Sequence, residues 1–536
     1  MASPCPDRNS RERGKQFCPV KSIATHPNAS ANGLALANLL AFNVIVSRTP
    51  FISKTKFLHG LQCSKLLWSD YNAKHLFPAV DDALQAVFDQ GHEIGALAKK
   101  MFPDGVEIDA DPADFEGAIE LTKKRISSRC PIFEATLSAN GGYARADILN
   151  PVGKNEWDII EVKSTTSLKD VHIPDVAFQA WVFTEAGIKI RRCFLCHINN
   201  EFVRHGEVDP KEFFTLRDVT AEVSAYSSEI GDKISDMGKT IRAAKCPEIQ
   251  IGKHCDTPYT CALHDHCWSF LPPHNVLDLY DDKKGRGWDL LNRGVLRLAD
   301  IPDDYSLSAK QEIQRAVAIS SKPHIKKPAI QTFLKNLEFP LHFLDFETFQ
   351  MAIPMFDGTR PYEQIPFQFS LHIVRKAGAK PEHRKFLAEG RNDPRTDFMR
   401  ELKSSVEPSG SIVVFNASFE KSRLKECAEF LPEYKSWVEA ANNRVVDLLN
   451  PFKAFNFYHP DQCGSASMKL VLPALTGKDY STLEIQEGGA ASREFLRVTF
   501  GDVSESERKR VRRALEKYCG QDTEGMIWIL DKLRGV

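Results

Sequence analysis

Charged side chains stand at alternate positions inside two otherwise apolar runs. Glu161 and Lys163 lie in Ile159-Ile160-Glu161-Val162-Lys163, and Asp345 and Glu347 in Phe343-Leu344-Asp345-Phe346-Glu347-Thr348. The apolar flanks predict central, buried strands. Residues i and i+2 of a strand share a face, so each pair points at one spot. A charge in such a place is costly unless a counter-charge or a ligand meets it. The pattern calls for an α/β chain with at least two polar centres set into its sheets.

A chain of 536 residues exceeds one ordinary core, so two or three domains are expected. At 42% hydrophobic and 26% charged, it has the composition of a globular protein. A net charge of -1 argues against coating nucleic acid by bulk charge and leaves room for a local basic groove. The 13 cysteines are too sparse for a disulfide scaffold. Cys255, Cys261 and Cys267 are bunched together, which reads as metal binding. The apolar run Leu34–Val46 is broken by Asn38 and Asn43 and falls short of the ~20 residues a membrane span needs. Arg11, Arg13 and Lys15 precede it without a small-residue cleavage site behind. Residues 1–50 are expected to be a disordered extension, and the protein to be cytoplasmic and without a membrane partner.

Residues 51–270 form the first expected domain. Helical periodicity runs over 77–101, strands are expected at Tyr143–Leu149, Trp157–Val162 and Arg192–Ile198, and a helix at Val176–Ala186. Asn150-Pro151-Val152-Gly153 reads as the turn between the first two strands. Cys193 and Cys196 fall on a predicted strand and read as core. Residues 271–335 read as a helical connector. Leu290 to Ile301 is faintly similar to a helix–hairpin–helix DNA-binding turn, but a plain helical linker is the preferred reading. Residues 336–536 carry strand patterns at His342–Phe349, Phe367–Val374, Arg384–Leu387 and Ile412–Phe415. Helices are expected at Asp397–Ser405, Phe419–Phe430, Ser504–Lys517 and Thr523–Leu533.

In the first domain Asp147 ends one strand, and Glu161 and Lys163 sit on the next. Two carboxylates can hold Mg²⁺ or Mn²⁺ through oxygen, and a lysine can orient water or stabilise developing negative charge. His92 precedes them on a helix, Glu134 lies just upstream, and Gln179 follows on another helix. This order resembles the RecB-like branch of the PD-(D/E)XK nucleases, restriction-endonuclease-like folds that include CRISPR-associated adaptation nucleases. The resemblance implies that His92, Asp147, Glu161 and Lys163 form the metal and catalytic set, with Gln179 assisting. Phe183 and Ala144 depart from that pattern, at a tyrosine and a glycine of the family.

Cys63, far upstream, is the best fourth partner for Cys255, Cys261 and Cys267. Spacing alone leaves structural zinc, with His254, His264 and His266 nearby, level with an iron–sulfur cluster. The nuclease resemblance implies a [4Fe–4S] cluster, with one cysteine before the core and three after it.

In the second half, Asp345 and Glu347 are followed by Asn416-Ala417-Ser418-Phe419-Glu420 and by Tyr518-Cys519-Gly520-Gln521-Asp522. These motifs resemble, in order, those of DnaQ-like 3′–5′ exonucleases with an RNase-H-like fold. The resemblance implies that Asp345, Glu347, Glu420 and Asp522 hold two Mg²⁺ or Mn²⁺ ions and that Tyr518 positions water. Glu420 stands where that family has aspartate, with Asp447 as a spare carboxylate. The whole pattern, over about 51–536, also resembles a bacterial family that fuses the two nuclease types. It implies a metal-dependent nuclease acting on single-stranded or end-exposed nucleic acid, DNA before RNA. A nucleic-acid-binding scaffold with an impaired C-terminal centre, and an RNA-processing nuclease, are the alternatives.

Overall fold

The computed structural model describes residues 51–111 and 113–536. The extension expected at 1–50 lies outside the described residues. The fold is mixed α/β, with a sheet in each half of the chain.

The N-terminal elements are β1 (Ile52–Ser53), α1 (Lys54–Gln62), α2 (Ser64–Asn72), α3 (Asp82–Lys99), β2 (Val106–Glu107), α4 (Phe115–Ile126), β3 (Ile132–Ala139), β4 (Gly142–Val152), β5 (Glu156–Lys163), α5 (His172–Glu185), β6 (Lys189–Ile198), α6 (Pro210–Phe213), β7 (Phe214–Asp218), α7 (Thr220–Ser227) and α8 (Ile230–Arg242). Their seven strands form one sheet in the order β2-β3-β4-β5-β6-β7, with β1 pairing alongside β4. β4 and β5 are antiparallel, and β5 and β6 parallel. β4 runs to Val152, so the turn comes slightly later than the Asn-Pro pair suggested, at Gly153 with φ +54°. One face of the sheet is covered by α5, whose Val176, Phe178 and Phe183 are buried beside Phe57 and Ile159. Ile94, Leu97 and Ala98 of α3 cover the other face, against Ile148 and Ile160. Burial of large side chains, each worth roughly 1.5–3 kcal/mol, fixes which residues of β4 and β5 are left to face the polar centre.

The middle of the chain holds α9 (His264–Trp268), α10 (Arg286–Asn292), α11 (Ala309–Ser320), β8 (His324–Ile325) and α12 (Lys327–Lys335). The helix–hairpin–helix-like stretch packs into a small core of its own, with Leu290, Leu298 and Ile301 against Val276 and Leu279. The connector expected at 271–335 is tied into the C-terminal half. β8 pairs with the short strand Phe457–Tyr458, and Ile330 of α12 joins the C-terminal core.

The remaining elements are β9 (Leu341–Phe349), β10 (Ile365–Val374), β11 (Glu382–Leu387), α13 (Arg395–Ser405), β12 (Ile412–Val414), α14 (Ala417–Phe430), α15 (Lys435–Asn443), β13 (Val445–Asp447), α16 (Asn450–Lys453), β14 (Phe457–Tyr458), α17 (Met468–Thr476), α18 (Gly488–Phe500) and α19 (Glu505–Arg534). The sheet order is β11-β10-β9-β12-β13. β10 is antiparallel to both β9 and β11, while β12 runs parallel to β9 and to β13. Phe343 and Phe367 face α17, α18 and α19, and Leu344, Phe346 and Phe369 face α13 and α14. The two helices expected at 504–517 and 523–533 are one helix of 30 residues. Gly520 costs about 1 kcal/mol there relative to alanine. Burial of Leu515, Tyr518, Met526 and Leu530 along the helix outweighs that cost.

The loop between β9 and β10 docks on the N-terminal half. Arg204 exchanges backbone hydrogen bonds with Gly358 (2.8 Å) and Thr359 (3.0 Å). The Tyr362 hydroxyl donates to the Ser164 carbonyl and lies 3.1 Å from Gln90 Oε1. Among the described residues no helix is long and apolar enough to cross a membrane.

Candidate metal centres

The first centre gathers on β4, β5 and α5. Glu161 is only 1% exposed, yet three groups reach it. Lys163 Nζ and Lys54 Nζ each lie 2.6 Å from its Oε1, and Gln179 Nε2 donates to Oε2 at 2.7 Å. Lys163 also pairs with Asp175 at 2.5 Å, and Gln179 donates to Asp175 at 3.0 Å. Asp147 Oδ2 accepts from the Val162 amide at 2.7 Å, which holds the β4 carboxylate against the β5 strand. The sequence-expected residues Asp147, Glu161, Lys163 and Gln179 are thus brought together.

Electrostatics divide the two acids. Burial and the Glu161 charge raise the Asp147 carboxyl to about 7. Burial would raise Glu161 as well, but the Lys163 and Lys54 ammoniums outweigh it and hold the carboxylate well below its usual range. Both lysines are held protonated by Glu161 and Asp175 despite burial. One acid is primed to lose a proton near neutrality, and its neighbour stays ionised.

Sequence reasoning missed Lys54 and Asp175. Lys54 is the first residue of α1, where a cation opposes the helix dipole, and that is its one local signal. The pairing of β1 with β4 delivers it. His92 is not brought into this network. It is exposed on α3, and the hydrogen bonds and ion pairs of Asp147 and Glu161 do not include it. Glu134 of β3 has φ +55° and pairs with Lys99 (2.9 Å) and Arg145 (3.1 Å). Phe183 and Ala144 are core residues, each 0% exposed. Cys193 and Cys196 are core as expected, and burial pushes their thiols up to about 12.

Cys63, Cys255, Cys261 and Cys267 line one small cavity beside His254 and His264. Cys63 sits between α1 and α2 in extended backbone. Its neighbour Gln62 donates to the carbonyls of His254 and Tyr259, both at 2.8 Å, and ties the two distant segments. Burial and the neighbouring thiols push Cys261 up to about 11. No three of these sulfurs lie within 4.8 Å of one another. A tetrahedral zinc with Zn–S near ~2.3 Å requires sulfurs at roughly 3.8 Å.

The third centre draws on β9, α14 and α19. Asp345, Glu347 and Cys519 offer ligand atoms that all lie within 4.8 Å of one another. Asp522 and Glu420 stand close enough that their charges raise the Asp345 carboxyl well above its ordinary value, after burial itself. Burial and Asp522 bring Glu347 to about 8, burial and Asp447 bring Glu420 to about 8, and burial brings Asp522 to about 7. Lys469 is the cation that opposes the shift at Glu347 and Asp522. The Tyr480 hydroxyl donates to Asp522 Oδ1, and Tyr518 lies one turn before Asp522 on α19. Glu420 is 3% exposed and its Oε2 has no hydrogen-bond partner, a costly state for a carboxylate. Four acids crowd one place with little compensation, and a donor set of that kind fits divalent cations.

Asp447 is not a spare ligand. Its carboxylate accepts the amides of Asn416 (3.0 Å), Ala417 (3.1 Å) and Leu449 (2.9 Å) and so fixes the start of α14 below Glu420. Cys519, Tyr480 and Lys469 were missed, since nothing in the motif spacing marks them.

Residues 342–467 match the sequence family described as a domain of unknown function (DUF2779), a stretch that contains Asp345, Glu347 and Glu420. An uncharacterized protein of Mycoplasma genitalium is 32% identical over 208 residues, covering 35% of this chain and 31% of that protein. An uncharacterized protein of Mycoplasma pneumoniae is 29% identical over 209 residues, with 35% and 31% covered. One of Ureaplasma parvum is 26% identical over 225 residues, with 38% and 32% covered. The match spans about a third of the length of these curated relatives.

Proposed function

We propose that the chain is a divalent-metal-dependent nuclease with two hydrolytic centres, and that its substrate is single-stranded or end-exposed DNA. The observation that carries this reading is the gathering of Asp345, Glu347, Glu420 and Asp522 from β9, α14 and α19, with one carboxylate oxygen left unpartnered. The sheet order β11-β10-β9-β12-β13, with only the first three strands antiparallel, supports an RNase-H-like domain. In the N-terminal half, the placement of Asp147 beside Glu161 and Lys163 supports the PD-(D/E)XK reading.

At the C-terminal centre Asp345, Glu347, Glu420 and Asp522 would hold divalent cations. Divalent ions supply an activated water and screen phosphate charge. Asp447 keeps α14 at the height that presents Glu420, and Tyr480 orients Asp522. At the N-terminal centre Asp147 and Glu161 would be the ligands. Gln179 anchors the Glu161 carboxylate, and Asp175 holds Lys163 beside it. The two ammoniums beside Glu161 are then placed to meet the negative charge that grows on an attacked phosphate. The four cysteines, which line one cavity, would hold a [4Fe–4S] cluster, with a single zinc as the alternative.

The test is a digest of end-labelled single-stranded DNA and RNA of one sequence by the chelator-treated full chain, with Mg²⁺ or Mn²⁺ added back. DNA should be cut only with metal present. Intact DNA and RNA in every lane overturn the reading.

A further inference from the structure

Cys519 fills a position of the third motif to which no role was assigned, yet its thiol is wholly buried against the C-terminal acids. Its Sγ lies 3.7 Å from Asp345 Oδ2 and 3.9 Å from the Asp345 carbonyl oxygen. It shares the face of α19 that presents Asp522, three residues on. We propose that Asp345, Glu347 and Cys519 form a mixed carboxylate–thiolate site that takes a borderline cation of the Zn²⁺ class in preference to Mg²⁺, and so sets which divalent ion this centre accepts.

Three ligand atoms within 4.8 Å of one another are near the separation a single ion demands. Zn²⁺ binds sulfur at ~2.3 Å and carboxylate oxygen at ~2.0–2.2 Å in a tetrahedron, so its ligand atoms lie roughly 3.3–3.8 Å apart. Small side-chain rotations close that gap. Mg²⁺ asks for near-octahedral oxygen ligands and keeps several waters, which a buried sulfur cannot replace. An independent feature points the same way. Glu420, buried and acting electrostatically on Asp345, leaves Oε2 without a partner. A buried oxygen left so calls for a cation or a proton. On binding, the thiol and any protonated carboxyl release their protons to solvent, and no electron changes hands.

The inference rests on reading this centre as a metal site and not on cleavage by it. The test is a Co²⁺ titration of the full chain, read by near-ultraviolet sulfur-to-cobalt absorption, with Zn²⁺ competition for affinity. Wild type, Cys519→Ser, Cys519→Ala and Asp345→Asn are compared, and the four-cysteine site contributes equally to all. Wild type should show more sulfur-to-cobalt absorption than either Cys519 variant. It should bind Zn²⁺ at least about tenfold more tightly than Cys519→Ser, while Mg²⁺ affinity is unchanged. Thermal melts of the serine and alanine variants establish that both are folded. If Asp345→Asn weakens Zn²⁺ binding but folded Cys519→Ser and Cys519→Ala match wild type in band and affinity, the thiol is not a ligand and the inference is overturned. If Asp345→Asn also leaves binding untouched, the metal reading of the centre itself fails.

Discussion

The Lys54 ammonium sits 2.6 Å from Oε1 of Glu161, a residue 107 positions further along the chain. Lys163 approaches the same oxygen at the same distance. Both cations are positioned by carboxylates rather than by solvent, so each should matter to the reaction. Lys163→Ala is expected to lower cleavage at this centre by about 10²–10³-fold, the usual cost of a preorganised charge donor. Lys54→Ala should cost less, since Lys163 remains. The rates are to be measured in an Asp345→Ala background, which silences the other centre. Equal rates for wild type and Lys163→Ala in that background would remove Lys163 from the mechanism.

The buried acids of the C-terminal centre should make metal-free stability depend on pH. Glu347 and Glu420 rise to about 8 and Asp522 to about 7, from ordinary values of 4.5 and 3.8. Between about pH 4 and pH 8 the folded chain therefore binds more protons than the unfolded one, and stability falls as pH rises. Glu161, shifted the other way, loses its stabilising effect only in acid, below that window. The thermal midpoint of chelated protein should drop from about pH 5 to about pH 8. Glu347→Gln should flatten the slope, and saturating Mn²⁺ should raise the midpoint most at high pH. A slope identical in wild type and variant counts against the crowded-acid picture.

Much of this was legible beforehand, and the reason is local. Alternation in β5 and β9 fixes which side chains share a face, so Glu161 with Lys163 and Asp345 with Glu347 followed from strand geometry alone. The residues that escaped notice are those delivered by long-range packing. Lys54 arrives through the β1–β4 pairing, Cys519 through the docking of α19 on β9, and Tyr480 from the segment before α18. Asp447 misled because a carboxylate near a motif looks the same whether it binds metal or caps backbone amides. The break expected between residues 517 and 523 does not occur because burial of Leu515, Tyr518, Met526 and Leu530 carries one helix through it.

The cysteine cavity offers a chemical test of the N-terminal clasp. Cys63→Ser or Cys267→Ser should lose bound iron and the visible absorption of a cluster, and the thermal midpoint should fall as the link between α1 and the segment after α8 loosens. Iron measured per chain, alongside zinc, decides the metal. A variant that keeps its full iron content rules out four-cysteine ligation.

Tyr362 joins the two halves next to Lys163, through the carbonyl of Ser164. Tyr362→Phe leaves the ring packed and deletes only the hydroxyl, and should cost about 1 kcal/mol, or roughly 2–4 °C in thermal midpoint for a domain of this size. An unchanged midpoint would mean that the contact does not stabilise the junction.

The most direct test is Mn²⁺-dependent cleavage of single-stranded DNA by four proteins in parallel: wild type, Lys163→Ala, Asp345→Ala and the double variant. Each single variant should retain part of the activity, with Asp345→Ala altering the trimming of 3′ ends, and the double variant should be inactive. Full activity in the double variant would place the chemistry somewhere other than these two centres.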